Sequence, residues 1–181
     1  MKKTKAILII ILAIFSTASL VFPCCAQPYG KGLYNENIPY GDQTSLSIST
    51  SGNVNIPITP TTTGVFSTGS NSVTVTSTDV KGYKLYIRAL KNTYMDNLGA
   101  QLPASSNASP AALTMDTWGY NLDASTNFVG INSTDTLIKS ASAPTPNGDS
   151  ATITYGIKLD MAKPAGNYTA NVVYTAVPQT N

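Results

Sequence analysis

The chain offers few side chains that could do chemistry. Its 181 residues include no histidine, and its only two cysteines, Cys24 and Cys25, are adjacent. Without imidazole the commonest general base, the Ser-His-Asp and Cys-His nucleophile systems and all His-ligated metal sites are excluded. The acidic residues are Glu36 and eight aspartates, and no two have a spacing that suggests a glycosidase pair. We therefore predict a protein that is not an enzyme and that holds no cofactor or metal.

One segment has oxygen-bearing side chains at alternate positions, as a calcium-binding loop does. These residues are Asn121, Asp123, Ser125 and Asn127. A calcium loop needs a glycine at its sharp turn and a bidentate glutamate, but Thr126 holds the turn position and no glutamate follows. We interpret the segment as a polar loop between strands.

Aromatic residues supply the candidate ligand-binding positions. Trp118 is the sole tryptophan and lies beside Tyr120 in the tripeptide WGY. It could stack on a sugar ring of cell-wall glycan, or it could be the core tryptophan that β-sandwiches often contain. Tyr86, between Lys84 and Arg88, marks a second candidate surface whose alternative is a solvated strand face.

The N-terminus has the pattern of an export signal. Three lysines precede an apolar run over residues 6–15, and small residues follow up to Ala26. We predict a secretory signal over residues 1–26, with an uncleaved membrane anchor through residues 6–22 as the alternative. Lipidation of Cys24 or Cys25 is a further alternative. The predicted location is the extracellular cell surface.

Export changes the charge of the chain. Loss of residues 1–26 removes three of eleven basic residues and leaves eight against nine acidic ones. The mature chain then has no basic excess to attract nucleic acid. We predict no nucleic-acid partner.

Strand patterns dominate from Thr44 onward. Residues 27–43 are rich in Pro, Gly and Asn and predict an extended arm, residues 44–178 predict one domain, and residues 179–181 predict a tail. No helical period of useful length follows the signal. We predict an all-β fold: a single antiparallel β-sandwich with Greek-key or immunoglobulin-like connections, preceded by the signal or membrane helix.

Three finer expectations concern individual segments. Val54, Ile56 and Ile58 predict a second strand, which Pro57 makes an edge strand or a bulged one. Residues 92–110 look irregular, with Leu98 and Leu102 expected to plug the core. Residues 153–160 and 168–176 alternate on either side of a Pro-x-Gly-Asn turn and predict a closing β-hairpin.

Two segments resemble the WxL-type surface domains of bacteria. The stretch 164-PAGNYTANVVYTA-176 is similar to their closing strand, and 118-WGY-120 is similar to their central tryptophan motif. Tyr120 stands where that family has leucine, and Tyr174-Thr175-Ala176 replaces the second Trp-x-Leu. The resemblance implies a β-sandwich at the cell surface that attaches non-covalently to peptidoglycan.

The expected function is that of an exported, non-enzymatic structural or adhesive module of the cell envelope. Its expected partner is cell-wall polysaccharide or another surface protein, and it could be oligomeric. The alternative is a subunit of a surface fibre or pilus. In that alternative the arm over residues 27–43, or the terminal strand, adds to the sheet edge of a neighbour.

Overall fold

The computed structural model describes residues 45–78 and 80–179. The predicted signal over residues 1–26 and the predicted arm over residues 27–43 lie outside the described residues. Within the described part, nine strands form the regular structure. They are β1 (Ser45–Thr50), β2 (Val65–Thr78), β3 (Gly82–Ala89), β4 (Met95–Asn97), β5 (Ala100–Leu102), β6 (Thr117–Asn121), β7 (Thr136–Ala141), β8 (Thr145–Leu159) and β9 (Val172–Gln179).

The strands form three antiparallel sheets. A four-stranded sheet has the order β1-β2-β8-β6, a three-stranded sheet has the order β7-β3-β9, and β4 pairs with β5 in a small hairpin. The two larger sheets share one hydrophobic core. The predicted all-β antiparallel sandwich is therefore confirmed. No helix long and apolar enough to cross a membrane occurs in the described ranges.

Period-two alternation sends the apolar residues of the central strands to the core. Leu85 and Ile87 of β3 are buried, while Lys84, which directly precedes Leu85 on the same strand, is exposed. Ile153, Tyr155, Ile157 and Leu159 of β8 are buried on the facing sheet. The predicted inward faces of these strands are confirmed.

Gly119, the glycine of the WGY tripeptide, lies where another backbone segment comes too close for a side chain. Trp118 and Tyr120 are buried in the core, so Gly119 between them faces the other side of β6. A Cβ at Gly119 would lie 2.6 Å from the backbone oxygen of Val129. On the paired strand, a Cβ at Gly156 would lie 2.6 Å from the ring of Phe128. The two glycines make room for the 128–129 segment, which covers the outer side of β6. That segment forms isolated bridges, Phe128 with Ala111 and Val129 with Tyr120.

A polar cluster joins the two sheets at one end of the core. The Tyr83 hydroxyl on β3 donates to Asp149 Oδ2 on β8 at 2.7 Å, and Lys139 Nζ on β7 contacts Asp149 Oδ1 at 2.5 Å. Burial acts to raise the pKa of Asp149, but the hydrogen bonds from Lys139 and Tyr83 and the lysine charge outweigh it and hold that pKa below its ordinary 3.8. Burial, with Asp149 as acceptor, raises the pKa of Tyr83. The carboxylate is therefore ionised and the phenol protonated at neutral pH.

The predicted closing hairpin is wrong. Strands β8 and β9 lie in different sheets and do not pair with each other. Strand β8 has β2 on one side and β6 on the other, so neither of its edges can accept the returning chain. Residues 160–171 instead cross to the second sheet, where β9 pairs with β3 from Val172 onward. Tyr168 and Ala170 lie before that strand.

The predicted second strand over Val54, Ile56 and Ile58 is also wrong. No strand occurs over residues 51–60, although all three side chains pack, partly buried, against the core. Prolines at positions 57 and 60 cannot donate to a β-ladder. The segment is tied to β2 partly through side chains, as where the Ser67 hydroxyl donates to the Pro57 carbonyl at 3.1 Å.

Leu98 and Leu102, the two leucines of residues 92–110 that were expected to pack into the core, differ in burial. Leu102 is completely buried, as predicted. Leu98 is completely exposed, so that prediction is wrong. The reason is a regular element that the sequence did not indicate: β4 and β5 form a hairpin, and Leu98 lies at its tip.

Candidate ligand-binding groove

An open groove lies between two loop segments beside the core. One wall is formed by residues 50–58, which follow β1, and the other by residues 166–172, which lead into β9. Its volume is about 730 Å³, within the range of sites that hold small or extended ligands. The groove exists because residues 51–60 and 166–171 run beside the two larger sheets without forming a strand of either.

The floor of the groove is apolar and rigid. It consists of core side chains from β8, β6 and the β4–β5 hairpin: Tyr155, Ile157, Leu159, Trp118, Met95 and Leu102. Each of them is at least nine-tenths buried. The backbone below them is held in the β6–β8 ladder, where Trp118 pairs with Ile157. The floor is therefore pre-formed, and the apolar side chains that a ligand can reach more readily are the part-buried Val54, Ile56 and Ile58 of one wall.

The rim is polar but carries no formal charge. Asn53 and Asn55 stand on one wall, Asn167 and Asn171 stand on the other, and all four are exposed. Among the residues that the structure describes, no carboxylate, ammonium or guanidinium group lines the groove. Each amide offers both a donor and an acceptor. The arrangement suits an uncharged ligand that exchanges hydrogen bonds with the rim and places apolar surface on the floor.

A chain of hydrogen bonds crosses one part of the groove and links the two sheets. The Tyr174 hydroxyl on β9 bonds with the Tyr155 hydroxyl on β8 and lies 3.2 Å from the Asn71 Oδ1 on β2. Burial raises the pKa of both phenols above the ordinary value of 10. They therefore stay protonated at neutral pH, where they serve as hydrogen-bonding groups and not as bases or nucleophiles.

The three sequence-predicted ligand residues are not brought together. Trp118 is 1% exposed, its indole N–H donates to the Thr93 carbonyl at 3.0 Å, and its ring lies under the groove beside Tyr155. Tyr120 is buried two residues further along β6, and burial raises its pKa. Tyr86 is half-buried on the outer face of β3, on the side of the strand away from the core. Only Trp118 of the three lines the groove.

The loop with alternate oxygen side chains is organised by its own hydrogen bonds. Asn121 Nδ2 donates to the carbonyls of Ser125 and Asn127 at 2.8 and 3.2 Å, and the Ser125 N–H donates to Asp123 Oδ1 at 3.1 Å. These contacts describe a polar loop, as interpreted from the sequence. Among residues 45–78 and 80–179 no group of three or more Cys, Asp or Glu side chains is placed to hold a metal ion.

The sequence patterns did not identify the asparagines of the groove as candidate binding residues. Asn53 and Asn55 alternate with apolar residues, so they look like the solvent side of a strand, and Asn167 looks like part of a hairpin turn. The available signal was the density of asparagine in 52-GNVN-55 and 166-GNYTAN-171. That density does not reveal that the two segments face each other across the core.

Comparison with known proteins assigns no family. No protein-family model matches the chain, and no curated protein matches it significantly in sequence.

Proposed function

We propose that this protein is an exported, non-enzymatic module of the cell envelope with a structural or adhesive role, and that the groove is its contact site. The observation that carries the proposal is the composition of the groove, which combines an apolar floor and an amide rim with no charged group. General acid–base or nucleophilic catalysis needs a titratable or activated group near the ligand. The groove is instead suited to holding a ligand unchanged.

The uncharged lining admits two classes of partner. Neutral stretches of cell-wall glycan could exchange hydrogen bonds with the amides, and an uncharged segment of a surface protein could do so while filling the apolar floor. An anionic polymer fits less well, because its charge would lose water without meeting a counter-charge. The resemblance to WxL-type domains supports the glycan class.

A pull-down on purified cell-wall sacculi tests the proposal. The double variant Asn55→Ala/Asn167→Ala removes one exposed amide from each wall, and neither side chain makes a hydrogen bond within the described residues, so folding should be unaffected. We expect saturable binding by the wild type and about 5- to 150-fold weaker binding by the double variant, since two hydrogen bonds are worth about 1–3 kcal/mol together.

The matched control is Asn147→Ala, an exposed asparagine of β8 outside the groove. It should bind sacculi as the wild type does. Equal binding by all three proteins would contradict the groove as the glycan site. Absence of binding by the wild type would exclude the glycan class and leave the protein partner.

A second candidate, the fibre subunit, is favoured by one observation. Strand β1, with the sequence SLSIST, pairs only with β2 in the described part of the chain, and it has no charge, proline or bulge. Natural edge strands are usually protected by such features. The edge strand β9 contains Pro178, and β7 contains Lys139 and a register shift. Filaments in the preparation used for the pull-down would favour this candidate.

A further inference from the structure

The tip of the β4–β5 hairpin carries an unusual residue. Asn97 pairs with Ala100, so Leu98 and Gly99 form a two-residue turn, and both have positive φ, at 50° and 96°. This is the conformation of a type I′ turn, whose first central position favours Asn, Asp or Gly. Leu98 is fully exposed.

Folding alone does not account for a leucine at this position. A residue with a Cβ is strained in the left-handed region, and Leu98 gains nothing from burial because its side chain touches no core. A single exposed leucine on a regular strand would need no explanation. A fully exposed leucine on a strained backbone does need an explanation, and contact with another molecule supplies that explanation.

The hairpin tip stands beside the groove. The backbones of Asp96 and Thr169 exchange hydrogen bonds at 2.9 and 3.0 Å, and Asn97 Nδ2 lies 3.4 Å from the Ala165 carbonyl. A Cβ at Gly166, a groove residue, would lie 2.3 Å from the Asn97 side chain. An apolar projection and an apolar-floored groove therefore occupy neighbouring positions on the same side of the molecule.

We propose that the groove takes the β4–β5 tip of a second copy of this chain, with Leu98 against the part-buried apolar residues of its wall. The tip, residues 97–100, is uncharged, and so is the groove lining, so neither surface has to bury an unpaired charge. Because projection and groove are adjacent, a two-fold axis between the copies makes the contact reciprocal. This inference rests on the proposed function of the groove as a contact site.

A protein occupant explains Leu98 better than a glycan does. Burying a leucine side chain is favourable in proportion to the apolar area removed from water. The groove offers that area in the part-buried wall residues Val54, Ile56 and Ile58, whereas a polysaccharide presents mostly hydroxyl groups to the tip. The second copy is thus the partner of this site, and glycan binding is the competing outcome.

The test is sedimentation of the full chain over a range of concentrations, for the wild type and for Leu98→Asn. Asparagine suits the turn, so the variant should fold with a higher Tm while its self-association weakens about tenfold or more. The control is Leu137→Asn, a half-exposed leucine of β7 outside the groove. It should leave self-association unchanged. Ala170→Trp, which fills the groove from its wall, should weaken association as Leu98→Asn does.

The outcomes separate this inference from the proposed function. A monomeric wild type, or equal self-association by the wild type and Leu98→Asn, would overturn the second copy as partner. If the asparagine double variant still lost sacculus binding, the groove would stand as a glycan site and only this inference would fall. Weaker association in both Leu98→Asn and Ala170→Trp, with the control unchanged, would support it.

Discussion

Trp118→Ala should lower the free energy of unfolding by about 3–5 kcal/mol, the cost typical of truncating a large buried aromatic residue. Trp118 is 1% exposed, packs beside Tyr155 and bonds through its indole N–H to the Thr93 carbonyl. The substitution removes the contacts and leaves both a cavity under the groove and an unpaired carbonyl. Urea unfolding followed by circular dichroism measures the loss.

Two companion variants make this result specific. Trp118→Phe keeps most of the ring volume and should lose clearly less stability than the alanine variant. Leu137→Ala removes an exposed side chain of β7 and should change stability by no more than about 0.5 kcal/mol. Wild-type stability in Trp118→Ala would contradict a structural role for the tryptophan.

Asp149→Asn should lower the free energy of unfolding by about 1–3 kcal/mol at neutral pH, because the carboxylate accepts hydrogen bonds from Lys139 and Tyr83. The folded-state pKa of Asp149 lies below 3.8, so the unfolded chain binds the proton more readily. The stabilisation that the ionised carboxylate provides is therefore complete at pH values well above its ordinary pKa of 3.8. It is lost as the pH falls through the folded-state pKa.

Urea unfolding of the wild type and of Asp149→Asn, repeated from pH 7 down to pH values below the ordinary pKa of 3.8, checks the prediction. The difference between them should be largest at pH 7 and should shrink once the wild-type carboxyl becomes protonated. Asp135→Asn is the control, since Asp135 forms a more exposed ion pair with Arg88 at 3.4 Å. Such pairs contribute at most about 1 kcal/mol. A difference at Asp149 that does not change with pH would show that its charge is not what stabilises the sandwich.

The buried faces of individual strands could be predicted from the sequence, but their pairing could not. Alternation at Leu85 and Ile87, or at Ile153 and Ile157, fixes which side of a strand is apolar. It says nothing about which neighbour accepts the backbone hydrogen bonds. The prediction of a closing hairpin was wrong for that reason, because β6 occupies the β8 edge that a hairpin would need.

The remaining errors arise where local pattern and tertiary contact diverge. Residues 54–58 alternate as a strand does, yet their apolar side chains pack on the core without a ladder. Strand β7 was not expected, because its residue Lys139 points to Asp149 of the other sheet and breaks the alternation. Leu98 was expected inside because it is apolar, whereas the turn places it outside. The groove joins segments more than 100 residues apart in sequence, which no local pattern encodes.

Amide hydrogen exchange of the full chain, alone and in the presence of its bound partner, tests most directly whether the groove is the contact site. Residues 51–60 and 166–171 form no strand, so most of their amides should exchange quickly in the free protein. The partner should slow exchange in both segments together. Protection confined to β7 and the outer face of β3 around Tyr86, with the groove segments unchanged, would contradict the proposed function.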